Sequence, residues 1–177
     1  MREPSPALWA RVERFPLVGV AVDVRSLFNV GALFRASDAA RVAHLYLTGG
    51  TGHPARERER IEKTGLGSPD SVPWTWSPHP EAVLAGLRRR GYRIVALELT
   101  PQSVSIDTLD PSWYPLALVV GHETEGVRPD VLALCDAVVA LDSYGRKHSM
   151  NVAMAYGVGI MHCARLWANR PPSDGLD

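Results

Sequence analysis

The apolar residues of this chain gather in five short unbroken runs, at 17–22, 44–47, 92–97, 115–120 and 137–141. Runs that are continuous rather than alternating describe strands covered on both faces, as in a parallel sheet. Between them the apolar spacing turns helical, over about 30–41, 79–90, 128–135 and 150–167, and a short amphipathic segment precedes the first run. Strands alternating with helices, without an internal repeat or linker, predict one α/β domain over 1–177, with a helical extension at about 1–15 and a tail at about 169–177. Ser149 is the predicted N-cap of the last helix, since its hydroxyl can accept from a backbone N–H of the first turn. The stretch 48–78 breaks the pattern with Gly, Pro and the run Arg-Glu-Arg-Glu-Arg-Ile-Glu-Lys at 56–63. Alternating signs describe a solvated helix face; the same arginines are candidates for gripping a polyanion, because long loops in compact domains are often functional.

Composition narrows the partners. With 177 residues, 46% of them hydrophobic, the chain can bury one substantial core. Nineteen Lys+Arg balance nineteen Asp+Glu, so no global positive field draws a nucleic acid, and such a partner must be met by a local patch. Cys135 and Cys163 stand far apart, with no second Cys or close His at ligand spacing, which argues against a disulfide framework and predicts no metal site. Both read as small buried hydrophobes, and His148 and His162 as structural or rim residues. No apolar run approaches the roughly 20 residues that span a bilayer, and the first residues have no apolar centre, so a cytoplasmic protein without membrane contact is expected.

Ligands of open parallel sheets bind beyond the carboxyl ends of the strands, so the polar segments following the runs carry the candidate chemistry. After the first run, Asn29 can cap a helix, and Gly31, Arg35 and Asp38 share one helical face; the plain structural alternative is a cap and an Arg35–Asp38 ion pair. After 115–120 comes Gly121-His122-Glu123-Thr124-Glu125-Gly126-Val127, with glycines near both ends and two carboxylates between them. This is not the G-x-G-x-x-G phosphate loop, and carboxylates repel a pyrophosphate, so a ligand with hydroxyls, amines or a positive centre suits it better. The alternative is a strand-to-helix turn with a Glu at a favourable helix N-terminus. After 137–141, a basic, hydroxyl-rich loop runs into the last helix, where Ser149 and Asn151 are either a cap and a weak helix former or two groups aimed into a shared pocket.

Together and in this order, these segments resemble the SpoU (TrmH-type) family of RNA 2′-O-ribose methyltransferases, within the SPOUT superfamily. The first motif is similar to Asn29-Val30-Gly31 with Arg35-Ala36, the second to 121–127, and the third to Gly145 followed by Ser149-Met150-Asn151-Val152-Ala153; Lys63-Thr64-Gly65-Leu66-Gly67-Ser68 also resembles small members. The likeness covers about residues 16–165. It implies a parallel sheet flanked by helices, a C-terminal deep trefoil knot, a homodimer, and S-adenosylmethionine as methyl donor. By the same resemblance, Leu97, Gly121, Leu141, Ser149 and Met150 bind that donor, and Arg35, Asn29, Glu123, Ser149 and Asn151 form the catalytic group, with Arg35 near the dimer interface. The chain departs from the family at Leu141-Asp142-Ser143, where many members carry Ile-Pro-Met.

The resemblance implies methylation of a ribose 2′-hydroxyl in structured RNA, and the small size favours transfer RNA over ribosomal RNA. Arg35 serves either as the base or as a charge stabilising an alkoxide and a phosphate. The RNA-facing set expected from position is Arg25, Arg56, Arg58, Arg60, Lys63, Arg146 and Lys147, which mostly lie in or beside loops following strands. The alternative is a non-catalytic RNA-binding or assembly module on the same fold. The surface of the last helix, with Ala153, Met154, Val158, Met161 and His162, exceeds in apolar area what one side of a small sheet hides and predicts a partner copy.

Overall fold

The structure, a computed structural model, describes residues 13–146 and 149–171. The expected N-terminal extension and C-terminal tail therefore fall almost wholly outside the described residues, as do Lys147 and His148. Seven strands form one sheet: β1 (Phe15–Val22), β2 (Val42–Thr48), β3 (Trp74–Ser77), β4 (Arg93–Leu97), β5 (Val104–Ser105), β6 (Leu116–Val120) and β7 (Ala137–Ala140). Their order is β3-β2-β1-β6-β4-β7-β5, and every neighbouring pair is parallel.

The unbroken apolar runs are explained by two cores, one on each face. Leu17, Ala21, Leu45, Leu47, Leu116 and Leu118 join Leu33 and Phe34 of α1 (Leu27–Ala39) and Tyr156 and Ile160 of α6 (Val152–Ala168). Val18, Val20, Val22, Ala117 and Val119 meet Leu84 and Leu87 of α4 (Pro80–Arg89) and Val131 of the single-turn α5 (Pro129–Leu132) on the other side. Alternate residues of a strand point to opposite faces, so a sheet buried on both sides needs both registers apolar. Tyr156 is fully buried, and its hydroxyl lies 2.7 Å from Ser37 Oγ, fastening α6 to α1 beneath the sheet.

Several expected boundaries move. The stretch 48–78 is not a loop but α2 (Pro54–Gly65), α3 (Ser68–Ser71) and the edge strand β3, with the alternating charges on the solvated side of α2. The helix expected over 128–135 contracts to α5. Ser26, not Asn29, caps α1, and Asn151, not Ser149, caps α6 by accepting from Ala153 N (2.9 Å) and Met154 N (3.3 Å). Gly31 and Arg35 do not share an exposed face: Gly31 is buried where α1 crosses α2, and a Cβ there would run into the Ile61 carbonyl and the Thr64 hydroxyl. Asp38 accepts from Ser71 Oγ at 2.6 Å instead of pairing with Arg35. Ala153 faces inward, leaving Met154, Val158, Met161 and Arg165 as the exposed stripe of α6 at i, i+4, i+7 and i+11 spacing. Burial pushes the Cys163 thiol up to about 12 and the half-buried Cys135 thiol up to about 11, which keeps both protonated and inert. His162 lies 3.6 Å from Asp107 and lines a shallow groove between α6 and Pro111.

Candidate active site

β1, β6, β4 and β7 are consecutive in the sheet, and the polar segments that follow β1, β6 and β7 at their carboxyl ends meet there. The loop 121–127 folds back on itself: His122 N donates to Gly126 O and Gly126 N to His122 O, both at 3.0 Å. Gly121 permits this because a Cβ would occupy the space of the Gly126 carbonyl and the Val127 nitrogen. Glu98, just past β4, anchors the same loop by accepting from Val127 N at 2.8 Å, and its other oxygen accepts from Leu99 N at 2.9 Å.

Glu123 then reaches across to the start of α1. One oxygen accepts from Ser26 N (2.8 Å) and Asn29 Nδ2 (3.0 Å), the other from Arg25 N (3.2 Å). Asn29 in turn accepts from Asn151 Nδ2 at 3.1 Å through its Oδ1. A continuous line of hydrogen bonds, Glu123–Asn29–Asn151, thus joins residues from all three polar segments, its two links spanning 94 and 122 positions of the chain. Partial burial works against the charged form of Glu123, but the donors from Ser26, Asn29 and Arg25 outweigh it and hold its carboxyl below the usual glutamate range. The carboxylate also sits at the positive end of the α1 dipole.

Beside this line lies a cleft with Leu97, Val120, Leu141, Met150 and Val152 as its apolar walls and Glu98, Gly121, Glu123 and Ser149 among its polar edges. All five residues expected to bind the methyl donor line it, including Leu141 from the departing Leu-Asp-Ser segment. Apolar walls with a few placed polar groups suit an adenosyl ligand, and two carboxylates at the rim suit its positive centre. Asn29, Arg35 and Asn151 do not line the cleft, and Arg35 is exposed on α1, with no hydrogen bond or ion pair among the described residues. Of the expected RNA-facing set, Arg25, Arg56, Arg60, Lys63 and Arg146 are exposed. Arg58 is engaged with Asp70 and lies 3.9 Å from Glu62, so its charge is countered within the chain. Arg128 is likewise held by Asp130 and Asp23.

The SpoU rRNA Methylase family model matches residues 16–161, across the sheet, the cleft and most of α6. The chain belongs to this family. Among SpoU relatives it is 32% identical over 149 residues to a tRNA (guanosine(18)-2′-O)-methyltransferase of Aquifex aeolicus, covering 84% of this chain and 69% of that one. The solved A. aeolicus TrmH/SpoU tRNA modifying enzyme superposes with a TM-score of 0.77 at 28% identity, over 91% of this chain and 83% of that one. An AdoMet-bound rRNA methyltransferase from Sinorhizobium meliloti shares the fold with a TM-score of 0.77 at 24% identity, covering 86% of this chain and 57% of that one.

Two residues of this SpoU site, Glu98 and Ser26, carry no distinctive signal in the sequence. Glu98 was legible only as a lone acid following an apolar run, and Ser26 as one hydroxyl near another candidate cap. The SpoU network also makes a pH prediction. Because the folded-state pKa of Glu123 lies below its ordinary value of 4.5, the group contributes stability that is present above that value and is lost as pH falls through the folded pKa. Denaturant titrations of wild type and Glu123→Gln are expected to differ most near neutrality and to converge under acid. A gap that widens as pH falls contradicts this assignment.

Proposed function

We propose that this chain is an S-adenosylmethionine-dependent RNA methyltransferase that modifies the ribose 2′-hydroxyl of a structured RNA, with transfer RNA favoured over ribosomal RNA. The observation that carries the reading is the convergence of Leu97, Gly121, Leu141, Ser149 and Met150 on one cleft beside the Glu123–Asn29–Asn151 line. Transfer RNA is favoured by the A. aeolicus relative's name, although the family description names ribosomal RNA.

When bound, the donor supplies a methyl group on a sulfonium, which already carries a good leaving group. The chain's work is therefore mainly placement. Glu123, kept ionised, fixes the Asn29 amide and the first turn of α1; Asn29 and Asn151 hold each other so that the third motif stays beside the second. Ser149 offers a hydroxyl at the cleft edge. Arg35 provides a permanent positive charge for a substrate phosphate and the developing alkoxide, because a guanidinium remains protonated at physiological pH. Its absence from the cleft lining and its exposure on α1 fit delivery to the partner copy's site. The stripe Met154, Val158 and Met161 on α6 supplies the apolar surface for such a homodimer, with the groove lined by Pro111, His162, Arg165 and Leu166 beside it. The position of β7 between β4 and β5, with α6 returning to β1 and β6, supports a C-terminal trefoil knot. Among the described residues no helix is long and apolar enough to cross a membrane, and no cluster of His, Cys, Asp or Glu could hold a metal; a cytoplasmic site of action completes the reading.

Incubating the protein with total RNA and methyl-labelled S-adenosylmethionine, then mapping the label, tests it. The expected product is 2′-O-methylribose in transfer RNA. Label in ribosomal RNA changes the substrate, label on a base overturns the chemistry, and donor binding without transfer to any RNA establishes the assembly module instead.

A further inference from the structure

Every large apolar side chain of α1 except one is packed away: Leu27, Val30, Leu33 and Phe34 are at most 8% exposed, whereas Phe28 is 51% exposed. Single exposed aromatics are ordinary on protein surfaces, but the position of this one is not arbitrary. It immediately precedes Asn29 of the hydrogen-bonded line, and it shares the i, i+4, i+7 face of α1 with Ala32 and Arg35. Its backbone is held from a second element, since Thr64 Oγ1 donates to Phe28 O at 2.8 Å. The residue before Thr64 is the exposed Lys63, and three residues before Phe28 stands the exposed Arg25, whose side chain has no ion pair among the described residues. An exposed aromatic ring on a backbone fixed to a second element, with exposed basic residues close by in both elements, has the ingredients with which proteins stack unpaired bases while gripping the backbone.

We propose that Phe28 is the stacking surface for an unpaired base of the RNA substrate at the methylated ribose, with Arg25 and Lys63 on the adjoining phosphates. This rests on the reading of the site as an RNA methyltransferase. The ring takes the face of the base, so it holds a nucleotide in place without selecting among the four bases by hydrogen bonding. It acts by positioning and leaves the donor cleft untouched, as Phe28 does not line it.

The test uses the full chain carrying Phe28→Ala, Phe28→Leu or Phe28→Trp, with unfractionated transfer RNA and ribosomal RNA as probes. Phe28→Ala is expected to raise the KM for RNA by about ten- to a hundredfold, with unchanged affinity for S-adenosylmethionine and unchanged sedimentation. Phe28→Trp should restore the wild-type KM, and Phe28→Leu, which keeps apolar area without an aromatic face, should not. An Ala variant within about threefold of wild type overturns the proposal. So does equal rescue by Leu and Trp, or a change of oligomeric state, which would make the ring an interface residue between copies. If the wild type methylates no RNA, the methyltransferase reading fails separately, and filter binding of the same RNAs to the Ala and Trp variants then decides the stacking role alone.

Discussion

Arg35→Ala is expected to lower methyl transfer to RNA by about a hundredfold or more while leaving the affinity for S-adenosylmethionine and the thermal stability as they were. Three features of the structure separate these effects. Arg35 is exposed, it makes no hydrogen bond or ion pair among the described residues, and it does not line the cleft. Removing it therefore leaves no buried partner unsatisfied and no wall displaced, while it deletes the fixed positive charge proposed to meet the substrate phosphate and the developing alkoxide. Lysine at this position keeps the charge and loses the planar fork that grips a phosphate with two parallel hydrogen bonds, so Arg35→Lys should recover only part of the activity. Transfer by the Ala variant at more than about a tenth of the wild-type rate would sink the assignment. Mixing adds a test of the homodimer. If Arg35 serves the opposite copy, dimers formed from an Arg35→Ala chain and a chain with a ruined cleft contain one complete site, and activity returns on mixing; if it serves its own cleft, the mixture stays inactive.

Gly121→Ala is the change expected to ruin the cleft. A Cβ at this position would fall on the carbonyl of Gly126 and the nitrogen of Val127, which are backbone atoms with no rotamer to escape into. The two hydrogen bonds closing 122–126 must then break or the loop must shift, and with it the Glu123 contacts to Ser26 and Asn29. Overpacking of this kind costs about 1–3 kcal/mol, or a melting temperature lower by roughly 2–4 °C per kcal/mol in a chain of this size. The effect on ligand binding should be larger than the effect on folding, because the distorted atoms are the cleft wall itself. Calorimetric titration is expected to detect no S-adenosylmethionine binding to the variant. Gly86→Ala provides the control: its Cβ on α4 meets nothing closer than Arg89 Nη2 at 3.9 Å, and relieving a mid-helix glycine should raise stability by about 0.5–1 kcal/mol. A Gly121→Ala protein that binds the donor as wild type does would show that this loop is not the donor's wall.

The unbroken runs announced a parallel sheet because a strand covered on both faces has no polar register to display, and five of the seven strands were legible on that ground. The two that were not, β3 and β5, are short edge strands: Trp74-Thr75-Trp76-Ser77 alternates with polar residues, and Val104-Ser105 is too brief to form a pattern. The caps were misplaced for a related reason. Ser26 and Asn29 are both competent to cap α1, as Ser149 and Asn151 are for α6, and the outcome depends on which side chain another element requires. Asn29 is turned toward Glu123 and Asn151, so Ser26 takes the cap of α1, whereas Asn151 serves both cap and network.

The zero net charge was satisfied locally more than expected. Arg58 and Arg128 are spent on Asp70, Asp130 and Asp23, while Arg25, Arg35, Arg56, Arg60 and Lys63 stay exposed. Spacing along a chain reports which charges share a helix, but not which acid from another element folds against them.

The sequence by itself determined the parallel α/β class and the three polar segments after strands that carry the candidate site residues, because local apolar periodicity and turn chemistry are written in consecutive positions. Only the tertiary structure decided that Glu123, Asn29 and Asn151 form one hydrogen-bonded line, that Glu98 pins the loop beside it, and that Arg35 stands outside its own cleft. Those facts depend on the sheet order β1-β6-β4-β7, which gathers the segments following these strands at one edge, so that Asn29 meets Asn151 across 122 positions of the chain. Contacts over such separations arise from packing two cores against one sheet, and no local stretch of residues contains them.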